Sequence, residues 1–325
     1  MVRIPTLATI HGQCFQTIFI FINLMKLDKN NTTIISQITF CVAGGIFLIM
    51  VNYISAAILS TSTLLLSFIG NAQKVSLPHN IGHFVVIAHR GDHTNAPENT
   101  LAAYQNAITA GADFVEIDLR TTKDSELVIM HNENMEYMTG EDKLVKDISF
   151  NTLRFIKIRE KSHIEWGLHT IPTLKEVLKL CKGKINIYLD FKEADVAKTF
   201  EEIRDAGMQN NIVVYINEPY QLAEWQTIAP AMPLMISLPK AVKTKKEMFE
   251  LMDGLNIDIL DGSYKEYNAA TVLAAKEMDI PIWADIQSKD EGADDWNAAL
   301  SLGLSGLQTD HPKELIDFLI QKGIR

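Results

Sequence analysis

Val85-Val86-Ile87-Ala88, then His89-Arg90-Gly91-Asp92-His93-Thr94-Asn95-Ala96-Pro97-Glu98-Asn99-Thr100, then Leu101 to Ala110, read as a strand, a loop and a helix. The first run is apolar and rich in β-branched residues, and the last has helical spacing. Pro97 and Glu98 suit a first helical turn, the one by its fixed φ and the other by its charge near the positive helix end, so the helix is expected over Glu98–Ala110. The same alternation continues to the end of the chain. Strands are expected at His83–His89, Phe114–Arg120, Ile185–Phe191, Ile212–Ile216, Leu234–Leu238, Ile257–Leu260, Ile280–Asp285 and Gly306–Thr309. Helices are expected at Thr173–Cys181, Asp195–Ala206, Pro219–Ile228, Lys243–Leu255, Tyr267–Met278, Glu291–Leu302 and Pro312–Gln321 as well. Eight successive strand–helix units predict an α/β chain closed into a (β/α)8 TIM barrel, because open doubly wound sheets usually hold fewer strands. No Gly-x-Gly-x-x-Gly follows the first strand, which leaves a dinucleotide fold without its phosphate loop.

One connection breaks the rhythm. Between the second strand and the third, Leu127–His131 forms a further β-type run and a polar stretch of about 132–170 follows it. A connector needs far fewer residues, so this insertion is expected to be a subdomain or lid over one barrel mouth.

The first 72 residues are of different composition. Their only charged side chains are Arg3, Lys26, Asp28 and Lys29, a net +2, so a total of −10 leaves −12 on residues 73–325. So acidic a remainder argues against nucleic acid as a partner. Ile35 to Val51 and Ile54 to Ile69 are uncharged apolar runs, and the second ends in Gly70-Asn71-Ala72, small residues of the kind a signal peptidase accepts. An export leader is expected over 1–72, cleaved after about Ala72 or retained as a membrane anchor with the Lys26 and Lys29 flank on the cytoplasmic side. Residues 73–325 would form the barrel, exported to a periplasmic or extracellular space. Of the three cysteines only Cys181 follows the leader, in a helical context where it reads as a small hydrophobe.

His89 and Arg90 stand where a strand spills into a loop, a setting suited to an anion: a guanidinium fork fits phosphate oxygens and an imidazole exchanges protons near neutrality. Taken singly, the pair equally suits a surface salt bridge. In Phe114-Val115-Glu116-Ile117-Asp118-Leu119-Arg120, alternation sends Glu116 and Asp118 to one side, about 7 Å apart along the strand. Asp190 and Lys192 share a side on the next barrel strand in the same way. Inward carboxylates are costly unless a cation satisfies them, so Glu116, Asp118 and Asp190 are candidate ligands for a hard divalent ion, Ca²⁺ or Mg²⁺. His131, at the end of Leu127-Val128-Ile129-Met130, could join His89 as an acid–base pair across a phosphodiester. Trp283 is a candidate wall of the substrate pocket or else a core residue, and Thr309-Asp310 is read as the cap of the last helix.

With these residues in hand, the chain resembles the glycerophosphodiester phosphodiesterases, a metal-dependent branch of the phosphatidylinositol-type phosphodiesterase barrels. The matching pieces are His89-Arg90-Gly91, Pro97-Glu98-Asn99-Thr100, Glu116-Ile117-Asp118, Val128-Ile129-Met130-His131, Ile171-Pro172-Thr173-Leu174, Asp190-Phe191-Lys192 and Thr309-Asp310-His311-Pro312, spanning 83 to about 320. The resemblance implies catalytic His89 and His131, phosphate-binding Arg90 and Lys192, and one divalent cation, Ca²⁺ ahead of Mg²⁺, on Glu116, Asp118 and Asp190. It implies cleavage of a small glycerophosphodiester to glycerol 3-phosphate and an alcohol. Asn132 stands where the family usually has Asp, and Asp190 where it usually has Glu. Both keep oxygen acceptors, so activity is expected to survive. Two other readings remain: a phospholipase D-like enzyme on intact lipid, with Phe150, Phe155 and Ile156 as an apolar lip, and a non-catalytic phosphodiester-binding barrel.

Overall fold

A computed structural model describes residues 75–80 and 82–325. The expected leader, with its cleavage point and its anchoring alternative, lies outside the described residues. Among those residues no helix is long and apolar enough to cross a membrane.

In chain order the elements are β1 Val85–Ala88, α1 Leu101–Ala110, β2 Phe114–Thr121, β3 Leu127–Ile129, α2 Glu136–Thr139, α3 Phe150–Leu153, β4 Lys157–Ile158, β5 His169–Thr170, α4 Leu174–Cys181 and β6 Asn186–Glu193. Then follow α5 Val196–Ala206, β7 Ile212–Ile216, α6 Pro219–Ile228, β8 Leu234–Ser237, α7 Lys245–Met252, β9 Ile259–Asp261, α8 Ala269–Glu277, β10 Trp283–Asp285, α9 Ala293–Leu302, β11 Gly306–Thr309 and α10 Pro312–Gln321. Eight strands pair in parallel in the order β10-β11-β1-β2-β6-β7-β8-β9. Parallel bridges from Leu260 to Ile282 and from Ser263 to Asp285 bring β9 against β10 and close the ring. The (β/α)8 expectation is therefore met.

Alternation along the strands sorts the core into layers. Val86, Val115, Ile117, Leu119, Ile187 and Leu189 point outward and pack beneath the helices. Val85, Ile87, Phe114, Tyr188, Val213, Met235, Ile259 and Trp283 fill the barrel interior. Farther along, the inward positions turn polar, with Glu116, Asp118, Asp190, Tyr215, Asp261, Asp285 and Gln308 around a cavity at the strands' carboxyl ends. The N-terminal end of the barrel is thus a packed plug and its C-terminal end a site.

The loop after β1 differs from its expected form. α1 begins at Leu101, not at Glu98, because Thr100 is its N-cap and accepts from the Ala103 amide. Pro97 and Glu98 remain in the loop, which frees Glu98 to pair with Arg90 instead of the helix end. Gly91 lets this loop lie on α1: its φ is 84°, and a Cβ there would stand 2.7 Å from the Ala103 carbonyl carbon.

The insertion has its own small core of Val128, Met130, Met135, Met138, Val145, Leu153, Ile158 and Ile171. It leaves from β3, which runs antiparallel to β2, and carries the β4–β5 ladder. Phe150 and Ile156, expected on an exposed lip, pack against this core. Phe155 is the one of the three that faces solvent, at 74% exposure.

Candidate active site

His89 follows β1 and Arg90 adopts φ 52°, a left-handed turn that the Arg90 amide stabilises by donating 2.8 Å to Glu116 Oε2. His89 Nδ1 lies 2.6 Å from Asp310 Oδ1, just beyond β11. Such a bond fixes which ring nitrogen is left for chemistry, and His89 lines the cavity. His93 reinforces the turn through Nδ1, 3.0 Å from the His89 carbonyl oxygen.

His131 lies across the same cavity. Arg120 grips its carbonyl with Nε at 2.9 Å and NH2 at 2.7 Å, and Asn132 Oδ1 sits 2.8 Å from its Nδ1. The amide oxygen therefore supplies the orienting acceptor that an Asp would, without the charge. Burial holds the His131 imidazole below its usual pKa; Asp118 opposes this, while Arg90 and Lys192 add to it.

Glu116, Asp118 and Asp190 come together with one oxygen of each within 4.8 Å of the others. Glu116 and Asp118 are only 2% and 1% exposed. Asn99 donates 2.7 Å to Asp118 Oδ2 and is itself held by the Tyr104 hydroxyl at 2.8 Å, while Asn217 donates 2.7 Å to Asp190 Oδ1. Lys192 bonds Asp190 and forms an ion pair with Asp118 Oδ1 at 3.3 Å, which leaves that oxygen without a hydrogen bond. Burial, then Asp118 and Asp190, pushes the Glu116 carboxyl well up. Burial acts on Asp118 too, but Lys192, His131 and Arg90 outweigh it and hold that carboxyl down.

Charge counting tests whether a cation fits. Glu98 takes up the Arg90 fork, with NH1 at 2.9 and 3.0 Å from its two oxygens. Four carboxylates, Glu98 included, then face the two cations Arg90 and Lys192, so with all four ionised two negative charges stay uncompensated in a largely buried place. An all-oxygen donor set with that excess and an Asp118 oxygen that accepts no hydrogen bond suits one hard divalent ion.

A family model for the glycerophosphoryl diester phosphodiesterases matches residues 89–314. The chain belongs to that family. Within it, a glycerophosphodiester phosphodiesterase of Caldanaerobacter subterraneus is 27% identical over 246 residues, 74% of this chain and 98% of the relative. A lysophospholipase D of Homo sapiens is 24% identical, over 72% of this chain and 85% of the relative. Among solved structures, a glycerophosphodiester phosphodiesterase from Agrobacterium tumefaciens superposes with a TM-score of 0.65 at 20% identity, covering 72% of this chain and 99% of that one. A phosphodiesterase from Oleispira antarctica in complex with sn-glycerol-3-phosphate gives 0.62 at 22% identity, covering 73% and 96%.

For this member of the glycerophosphoryl diester phosphodiesterase family, the structure gathers seven of the eight expected site residues at one cavity: His89, Arg90, Glu116, Asp118, His131, Asp190 and Lys192. Trp283 is the exception and corrects its reading as a pocket wall. It opens β10, so it points into the plug two positions below the mouth, where it packs on Phe114 with ring centroids 5.0 Å apart. Gly306 makes the room, since a Cβ there would lie 2.7 Å from the indole Cδ1. Asp310 corrects a second reading: His311 occupies the N-cap of α10, and Asp310 turns to His89 instead. Its signal was its place at the end of the last strand, beside the end of the first. His93 and Asn99 were also missed as site residues, because only folding of the loop points them at His89 and Asp118.

Proposed function

We propose that this chain hydrolyses glycerophosphodiesters to glycerol 3-phosphate and an alcohol, with His89 and His131 exchanging the protons. The observation that carries the reading is two imidazoles facing one cavity beside a buried carboxylate trio. Glu116, Asp118 and Asp190 would hold one divalent ion, Ca²⁺ ahead of Mg²⁺, whose charge would act as a Lewis acid on the phosphoryl oxygens.

The side chains divide the remaining work. His131, its pKa held down by burial, takes a proton from the oxygen that attacks phosphorus, that of water or of a glycerol hydroxyl whose cyclic ester water then opens. His89 gives a proton to the alkoxide as the ester P–O bond breaks. Asp310 holds the His89 tautomer and steadies the ring's positive charge before that transfer, as a carboxylate does for a catalytic histidine elsewhere. Lys192 offers an ammonium to the phosphate. Arg90, its NH1 tied to Glu98, offers what remains of its fork. The relatives named above and the family's matched span support the substrate class. The test is release of glycerol 3-phosphate from glycerophosphocholine by the purified protein, with EDTA, Ca²⁺ or Mg²⁺ and with His89→Ala as control. Metal-dependent release that vanishes in the variant is expected, and no release with either metal over several headgroups would overturn the reading and favour a binding barrel.

A second reading, action on lipid, has one observation behind it. The insertion exposes Phe155, Ile164 and Leu168, and Phe155 and Leu168 line a groove with Lys143, Lys157, Arg159 and Lys161. Faster turnover of a lysophospholipid than of glycerophosphocholine would favour it. Export is part of the proposal and rests on the uncharged runs before Gly70-Asn71-Ala72. N-terminal sequencing of the protein recovered from cells checks it: a start near Gln73 supports a cleaved leader, and an intact terminus on protein recovered from membranes supports an anchor.

A further inference from the structure

The cavity has a second polar wall that the chemistry above does not use. In the ring order, β9 and β10 stand opposite β2 and β6, so Asp261 and Asp285 look across the mouth at the carboxylate trio. Gln308 of β11 joins them, and one cavity of about 220 Å³ connects the two walls. A phosphate held at the first wall therefore places an ester substituent at the second.

The hydrogen bonds of that wall are already spoken for on the donor side. The Tyr188 hydroxyl donates 2.8 Å to Asp261 Oδ2. Nε2 of Gln308 and Nε2 of Gln287 both donate to Asp285 Oδ1, at 2.7 and 2.9 Å. What is left over is mainly acceptor. Asp261 Oδ1 and Gln308 Oε1 are buried without a partner, on side chains 2% and 3% exposed that line the cavity. Native proteins rarely leave such atoms unmet, and a site that is short of donors discriminates against ligands that bring none. Burial, and then the neighbouring Asp285, pushes the Asp261 carboxyl well up, against the Gly262 amide and the Tyr188 hydroxyl that hold it down.

We propose that Asp261, Asp285 and Gln308 form a subsite for an ester substituent carrying two or more O–H or N–H donors, a polyol or a primary ammonium, and select it over a methyl or quaternary ammonium group. The inference rests on the opposite wall being the phosphoester site.

The test is calorimetric binding of four phosphate monoesters to the full chain: glycerol 3-phosphate, phosphoethanolamine, phosphocholine and methyl phosphate. The phosphate is common to all, so differences report the substituent. At least one of the first two should bind tenfold or more tighter than methyl phosphate, and which one names the polyol or the ammonium as the occupant. Asp261→Asn and, independently, Asp285→Asn should bring that advantage to within about threefold. Melting curves identify a variant that has lost its fold, and the other then decides. Equal binding of all four overturns the subsite alone, as do phosphocholine matching a phosphoethanolamine that binds tenfold tighter than methyl phosphate, which means charge without donors, and a uniform loss in both folded variants. Binding of none overturns the phosphoester site and the subsite with it.

Discussion

Asp310→Asn isolates the contact on which the proton chemistry turns. His89 Nδ1 and Asp310 Oδ1 are 2.6 Å apart, and their side chains are only 13% and 21% exposed, so water screens the pair weakly. A hydrogen bond to a charged group contributes about 1.5–3 kcal/mol, which at about 1.4 kcal/mol per decade is roughly 10- to 150-fold in rate. Asn keeps the shape and removes the charge, so kcat/KM for glycerophosphocholine should fall within that range. KM should move by less than about threefold, because Asp310 does not line the substrate cavity. Steady-state kinetics on wild type, Asp310→Asn, His89→Ala and the double variant complete a cycle. If Asp310 acts through His89, its replacement costs nothing more once His89 is gone. A folded Asp310→Asn protein within twofold of wild type would refute the reasoning, and so would a tenfold loss that persists in the His89→Ala background.

Three further predictions concern the ion, the plug and the proton balance. Ca²⁺ at about 100 times its dissociation constant should stabilise the protein by about 2.7 kcal/mol, seen as a raised melting temperature, and Glu116→Gln should abolish the rise; an unchanged rise in that variant would remove Glu116 from the site. Trp283→Ala should destabilise the barrel by about 3–5 kcal/mol in denaturant melts, with KM unaffected in the folded fraction; a KM effect without a stability loss would restore the pocket-wall reading. Glu291, buried and beside Asp310, has its carboxyl pushed up to about 7, chiefly by burial. A carboxyl raised on folding favours the native state below its unfolded value and loses that contribution as pH climbs through the folded one. Glu291→Gln should therefore melt as wild type does near pH 4 and a few degrees higher near pH 8; the reverse order would contradict the shift.

The sequence carried most of the barrel because its information there is local. Each strand is a short β-type run and each helix a periodic one, so the β–α alternation survives without any knowledge of contacts. Period-two alternation likewise put Glu116 with Asp118 and Asp190 with Lys192, and the fold only had to bring the two strands into register, with Asp118 paired to Asp190. Helix starts were less legible. Pro97 and Glu98 are good first-turn residues, yet the close packing of Gly91 on Ala103 holds them in the loop and leaves capping to Thr100.

What only the tertiary structure decided are the relations across the ring. Asp310 and His89 are separated by 221 positions and meet because the last strand closes on the first. Trp283 and Asp285 lie two positions apart on one face, yet one plugs the barrel and the other lines its mouth, a difference of depth that alternation alone does not encode. The wall of Asp261, Asp285 and Gln308 is drawn from three strands that each turn a single polar residue inward. Local pattern determines which way a side chain points; closure of the sheet determines what it points at.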